Sequence, residues 1–90
     1  MSSLDEVYEQ MRLFQRTLTE FNAEIRFSAA ELSKVHEHVC SIWQDEAALR
    51  YRTAYEPLAH SLDVYLSASA PRFEKFMDSK VGQLERYLNE

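Results

Sequence analysis

The chain has very little of what turns, sheets and disulfides require. Its ninety residues hold one glycine (Gly82), two prolines (Pro57 and Pro71) and one cysteine (Cys40). Glycine and proline supply the special backbone angles of tight turns, so a fold built on many hairpin turns is excluded. A single cysteine excludes an internal disulfide, which fits a reducing compartment. No apolar run approaches the roughly 20 residues that a membrane-spanning helix needs. The opening Met-Ser-Ser-Leu-Asp-Glu has neither the basic head nor the apolar stretch of a cleaved signal. A cytoplasmic species is therefore expected at synthesis, and any secretion would need a route without a cleaved signal peptide. Basic runs are missing as well: 10 Lys and Arg stand against 15 Asp and Glu, for a net charge of −5. Binding to phosphates needs a basic stripe, so nucleic acid is not an expected partner, and an anionic membrane surface would be a poor one.

Strong helix formers dominate what remains, and 12% of the residues are aromatic. From Leu4 the apolar positions step by threes and fours: Val7, Met11, Phe14, Leu18, Phe21, Ile25, then Leu32, Val35, Val39 and Ile42, with only Ser28 breaking the row. This is the seam of a helix packed lengthwise against another. Ser3 with Glu6 three residues on has the spacing of a capping box, and Asp5 sits in the first turn, where acids are favoured. Leu13 and Phe27 lie to one side of the seam, and Tyr8 and Trp43 to the other. The apolar surface is thus wider than a two-stranded stripe, which implies a second packing partner.

The second half repeats the pattern through Ala48, Tyr51, Tyr55, Leu58, Leu62 and Tyr65. At Leu66 the stripe moves over by one position, and it continues through Phe73, Met77, Val81, Leu84 and Leu88. The shift falls beside Ser67-Ala68-Ser69-Ala70-Pro71. Proline removes one helical hydrogen bond, so a kink is expected near Pro57 and near Pro71, with a third helix starting at Pro71 as the rival. No glycine or proline marks a turn at the midpoint. Ser41 with Gln44 has the spacing of a capping box, and Asp45 can cap a helix beginning at Glu46. The predicted fold is all-α: one domain over 1–90, with helix 1 over about 4–40, a turn over about 41–45 and helix 2 over about 46–88. The two helices form an antiparallel hairpin, which would pair into a four-helix bundle. A single unbroken helix is the competing expectation.

Trp43, Gln44 and Asp45, followed by Ala47, Ala48, Tyr51 and Tyr55, resemble the midpoint of the small Trp-Xaa-Gly (WXG, ESAT-six-like) hairpin proteins of type VII secretion. The resemblance spans the whole chain, although its motif is short. It implies a two-helix hairpin with the tryptophan in the turn. It also implies pairing as a homodimer or with a related or larger hairpin protein, and a bacterial role as secreted substrate or secretion partner. Asp45 stands where the motif has glycine, as in a divergent branch. The export tail Tyr-Xaa-Xaa-Xaa-Asp/Glu is not matched.

Chemistry is sparse. His36 and Cys40 share a helix face and His38 points elsewhere, so two residues would supply only half of a tetrahedral metal site. Cys40 beside His36 also has the spacing of a nucleophile and base, but nothing supplies an orienting carboxylate or an oxyanion hole. No enzyme activity, cofactor, metal or small-molecule substrate is expected. Glu20, Glu24, Glu31 and Glu37 interleave with Arg12, Arg16, Arg26 and Lys34 as a solvated charged face. Tyr51, Tyr55 and Tyr65 are expected in the seam with hydroxyls at its edge, and Trp43 is expected to plug the bundle end.

The expected function is protein–protein interaction. Phe14, Leu18, Phe21, Leu58, Leu62 and Tyr65 would form the mid-bundle core, and the flank with Leu13 and Phe27 would meet a second hairpin. Truncating a buried phenylalanine such as Phe21 would then cost about 3–5 kcal/mol. The alternative is a cytoplasmic chaperone or adaptor that holds a helical segment of a larger client.

Overall fold

A computed structural model describes residues 3–89. Helix α1 runs Ser3–Ile42, α2 runs Glu46–Val64, a π-helical turn spans Tyr65–Ser69, and α3 runs Ala70–Leu88. There is no strand among the described residues. No glycine or proline precedes Pro57, so nothing local stops α1 from running 40 residues. At 1.5 Å per residue that is about 60 Å, close to the 66 Å long dimension of the molecule. The other two extents are 16 and 15 Å, the width of helices lying side by side. The chain is therefore an antiparallel all-α hairpin, and a single unbroken helix is excluded.

The reversal occupies Trp43, Gln44 and Asp45. α1 outlasts its expected end by two residues, closing with a hydrogen bond from Trp43 N–H to the Val39 carbonyl at 2.9 Å. Ser41 therefore does not cap α2: it remains helical, and its hydroxyl donates to the His38 carbonyl at 2.6 Å. Asp45 is the cap. Its Oδ1 accepts from Ala48 N–H at 2.9 Å, and its backbone is extended (φ −87°, ψ −174°), a conformation open to any residue. Nothing in this turn requires the glycine of the Trp-Xaa-Gly motif.

The two prolines behave differently. α2 continues through Pro57, which has no amide to offer the Thr53 carbonyl, and both residues lie on the exposed side of the helix. The irregularity expected near Pro71 is a π turn placed just ahead of it. Ala70 N–H bonds to the Tyr65 carbonyl, five residues back, and the backbone from Val64 to Ala70 stays right-handed helical. α2, the π turn and α3 thus form one continuous arm, and Pro71 sits in the first turn of α3 without a clean break. The wide turn accommodates one extra residue. That is the physical meaning of the one-position shift of the apolar stripe at Leu66.

The core is thin. Ala48, Ala70, Met77 and Val81 are buried, and so is one polar side chain, Asn22, at 1% exposure. α1 contributes a half-buried line through Leu4, Tyr8, Met11, Gln15, Leu18, Ile25, Ala29, His36 and Cys40. This corrects the expected register. Leu4, Met11, Leu18 and Ile25 face the other arm as anticipated, but the alternating partners are Tyr8, Gln15, Asn22, Ala29 and His36, one residue beyond Val7, Phe14, Phe21, Ser28 and Val35. The physical reason is that α1 carries two overlapping heptad seams, and the hairpin closes on the more polar one.

Candidate protein-interaction surface

The unused seam of α1 is an exposed apolar line along the helix. Val7, Phe14, Phe21, Val35 and Ile42 recur at multiples of seven and are 47, 48, 50, 61 and 70% exposed. Seven-residue spacing puts them on one line along the helix. The second arm carries a matching line. In α3 the buried Ala70, Met77 and Val81 and the half-buried Glu74 and Leu84 are flanked by Phe73 and Phe76, both exposed, and by Tyr87 near the end of the arm. Phe14 and Phe73 meet edge to face with centroids 6.0 Å apart, and Phe73 stacks on Phe76 at 5.8 Å. The two lines therefore lie on the same side of the hairpin. Two open apolar grooves score this side, one walled by Tyr65, Phe73 and Phe76, the other by Leu4, Met11, Phe76, Leu84 and Tyr87. Leu58 falls seven residues before Tyr65 and stays half exposed rather than entering the core.

The reverse side is polar. A groove there is walled by Arg12, Gln15, Arg16, Thr19, Glu20 and Asp78. The hairpin is thus two-faced, with one flat side apolar and the other charged and hydroxylic. Leu13 and Phe27 are exposed at 50 and 67%, but one helical residue is a rotation of about 100°. Leu13 therefore points away from the face that holds Phe14, and Phe27 shares its direction. The Glu31–Lys34 ion pair at 3.5 Å lies on the solvated surface expected for the interleaved charges.

Between the arms, polar contacts occur at three levels of one α1 line. Gln15 Nε2 donates to Asp78 Oδ1 at 2.6 Å. Asn22 Nδ2 donates to Glu74 Oε1 at 2.9 Å, and its Oδ1 accepts from the Tyr65 hydroxyl at 2.5 Å. His36 Nδ1 shares a 2.9 Å hydrogen bond with the Tyr51 hydroxyl. Gln15 and Asn22 were not singled out from the sequence. Their signal was the spacing of 15, 22 and 36, multiples of seven in register with Tyr8 and Ala29.

At the turn end, His36 stacks flat on Tyr55 with centroids 3.7 Å apart, and Tyr51 packs against Trp43 at 5.7 Å. Trp43 is 37% exposed, so it covers the end of the hairpin in part and shows the rest to solvent. Its carbonyl accepts from Arg52 Nη2 at 3.0 Å, which ties the turn back to α2. Tyr51, Tyr55, Leu62 and Tyr65 are half-buried in the seam, as Leu18 is on α1. Cys40 Sγ lies 3.5 Å from His36 Nε2, while His38 is exposed away from both. Among the described residues, no group of three or more His, Cys, Asp or Glu side chains is placed to hold a metal ion. Likewise, no helix among them is long and apolar enough to cross a membrane. No family model matches this chain, and no curated protein or solved structure matches it either.

Proposed function

We propose that the chain is a non-enzymatic protein–protein interaction module that works by laying its apolar side on another helical hairpin, in the first instance a second copy of itself. The observation that carries this is the exposed line Val7, Phe14, Phe21, Val35 and Ile42, broken only at Ser28, with Phe73 and Phe76 joined to it at Phe14. Area supports it. The chain exposes 6995 Å², whereas a compact protein of 10.6 kDa is expected to expose about 5,500 Å². Two copies packed to ordinary compactness would bury roughly 5,000 Å² between them. That is the upper part of the range for obligate dimers, about 2,000–5,000 Å². A face-to-face pair of hairpins is a four-helix bundle, in which Phe14, Phe21 and Leu58 would become interior residues.

A place among the small hairpin proteins of type VII secretion rests on Trp43, Gln44 and Asp45 in the turn of a two-armed helical hairpin. In that role the pair would be a secreted substrate or a secretion partner, with the half-exposed Trp43 ring available at the tip.

Light scattering on the pure protein tests the pairing. A mass of twice 10.6 kDa is expected. Phe21→Glu, which puts a charge on the exposed line, should return the mass to that of one chain while circular dichroism stays helical. A single-chain mass for the unaltered protein would sink self-pairing and leave the adaptor role, in which the same side holds a helical segment of a client.

A further inference from the structure

α1 has two ways to face its partner arm. Leu4, Met11, Leu18 and Ile25 serve both. In one rotation the second line is Tyr8, Gln15, Asn22, Ala29 and His36; in the other it is Val7, Phe14, Phe21, Ser28 and Val35. Adjacent lines of a heptad differ by about 50° of helix rotation. For a lone hairpin the second rotation buries more apolar surface and returns Gln15, Asn22 and His36 to water, where they need no protein partner. The observed rotation is the first one. What distinguishes it is the row of cross-arm hydrogen bonds, with every segment of the opposing arm supplying a partner. Asp78 and Glu74 come from α3, Tyr65 from the π turn and Tyr51 from α2.

We infer that Gln15, Asn22 and His36 are positioning residues: their hydrogen bonds to the second arm hold α1 in the rotation that turns the Val7–Phe14–Phe21–Val35–Ile42 line outward. A buried polar side chain in a helical seam fixes register at some cost in stability, because any other alignment separates it from its partners. Asn22 is the strongest case. It is the largest fully buried side chain among the described residues, and its donor and acceptor are used by two different elements, Glu74 of α3 and Tyr65 of the π turn. The use of this rotation rests on the function proposed above, since only a molecule that needs an apolar side gains from it. The rotation itself is an intramolecular property and can be tested separately.

The reporters are Ser28 and Ala29, neighbours on the two competing lines, both small and neither one a positioning residue. Ser28 is exposed and Ala29 half-buried. In a Cys40→Ser background, Ser28→Cys and Ala29→Cys are made singly and their labelling rates with a small maleimide compared. With the positioning residues intact, the thiol at 28 should react several-fold faster than that at 29. Adding Gln15→Leu, Asn22→Leu and His36→Leu should invert this order. A simple loss of stability would speed both thiols together and leave the order unchanged. Should the triple variant fail to fold, Asn22→Leu alone is expected to draw the two rates together. An unaltered ratio in whichever folded variant is obtained overturns the inference. Protection of position 28 by pairing of hairpins grows with protein concentration, whereas protection by rotation does not, so the two ideas can fail independently.

Discussion

Asn22 shows how much can hang on one side chain in a core this thin. Asn22→Ala leaves the Tyr65 hydroxyl and the Glu74 carboxylate without their cross-arm partner. Both groups are half-buried, so stranding them should cost about 1 kcal/mol, the low end of the range for buried polar groups, and appear as a lower urea midpoint at unchanged slope. Asp45 makes a different kind of residue-level prediction. The Ala48 amide, and after it Trp43, hold its carboxyl below the usual carboxylate range. A pKa lower in the folded than in the unfolded chain adds stability above the unfolded value and loses it as the pH falls through the folded one. The melting temperature should therefore drop on acidification from the ordinary carboxylate range downward. In Asp45→Asn, which can still accept the capping bond without titrating, this part of the drop should vanish. The Asp45 cap was legible in the sequence because capping depends on residue type and local spacing alone. The role of Asn22 was not. Phe21 beside it satisfied the same heptad rule, and nothing local decides which of two neighbouring lines will face the other arm.

The helices were readable in kind and less so at their ends. A run free of glycine and proline with steady three-and-four spacing could only be a long helix, and α1 is one. It ends two residues beyond the expected boundary because no glycine stop exists. α1 runs on until Asp45 starts a new helix, and the capping box at Ser41 gave way to continued helix. The one-position shift at Leu66 was visible in the sequence, but its cause was not, since a kink, a break and a π turn can all move a stripe. Gly82 offers a test of the element that follows. It lies inside α3 with a negative φ, and a Cβ built there would meet only the Arg86 Nη1 atom at 3.7 Å, an ordinary contact with a flexible side chain. Gly82→Ala should stabilise the protein by about 0.8–1.0 kcal/mol in thermal or denaturant unfolding. A destabilised variant would mean that α3 is packed more closely at Gly82 than this contact indicates.

For the whole molecule, the radius of gyration of 19.7 Å contrasts with about 12 Å expected of a compact chain of this length. Such a shape makes apolar residues unequal. Met77 is 3% exposed, and Met77→Ala should cost about 2–5 kcal/mol at any protein concentration. Phe21 is half exposed in the single chain, so the 3–5 kcal/mol expected of a core phenylalanine does not apply there. At high dilution Phe21→Ala should cost about 1 kcal/mol, the share of its burial that the hairpin alone provides. At concentrations where hairpins pair, the cost should grow. A concentration series of melts on both variants checks this, and parallel behaviour of the two would count against pairing through Phe21.

The three-level row of cross-arm bonds also orders the molecule along its length. The linked residues are 15 apart in the chain at His36–Tyr51, 43 at Asn22–Tyr65, 52 at Asn22–Glu74 and 63 at Gln15–Asp78. Each step away from Trp43 closes a longer loop, and the entropy of closure rises with loop length. The hairpin is in effect a zipper whose slider rests at the turn. On closure entropy alone, assembly is expected to run outward from the tyrosine and histidine rings, and fraying to begin at the opposite end, where Leu4 and Tyr87 line the last groove.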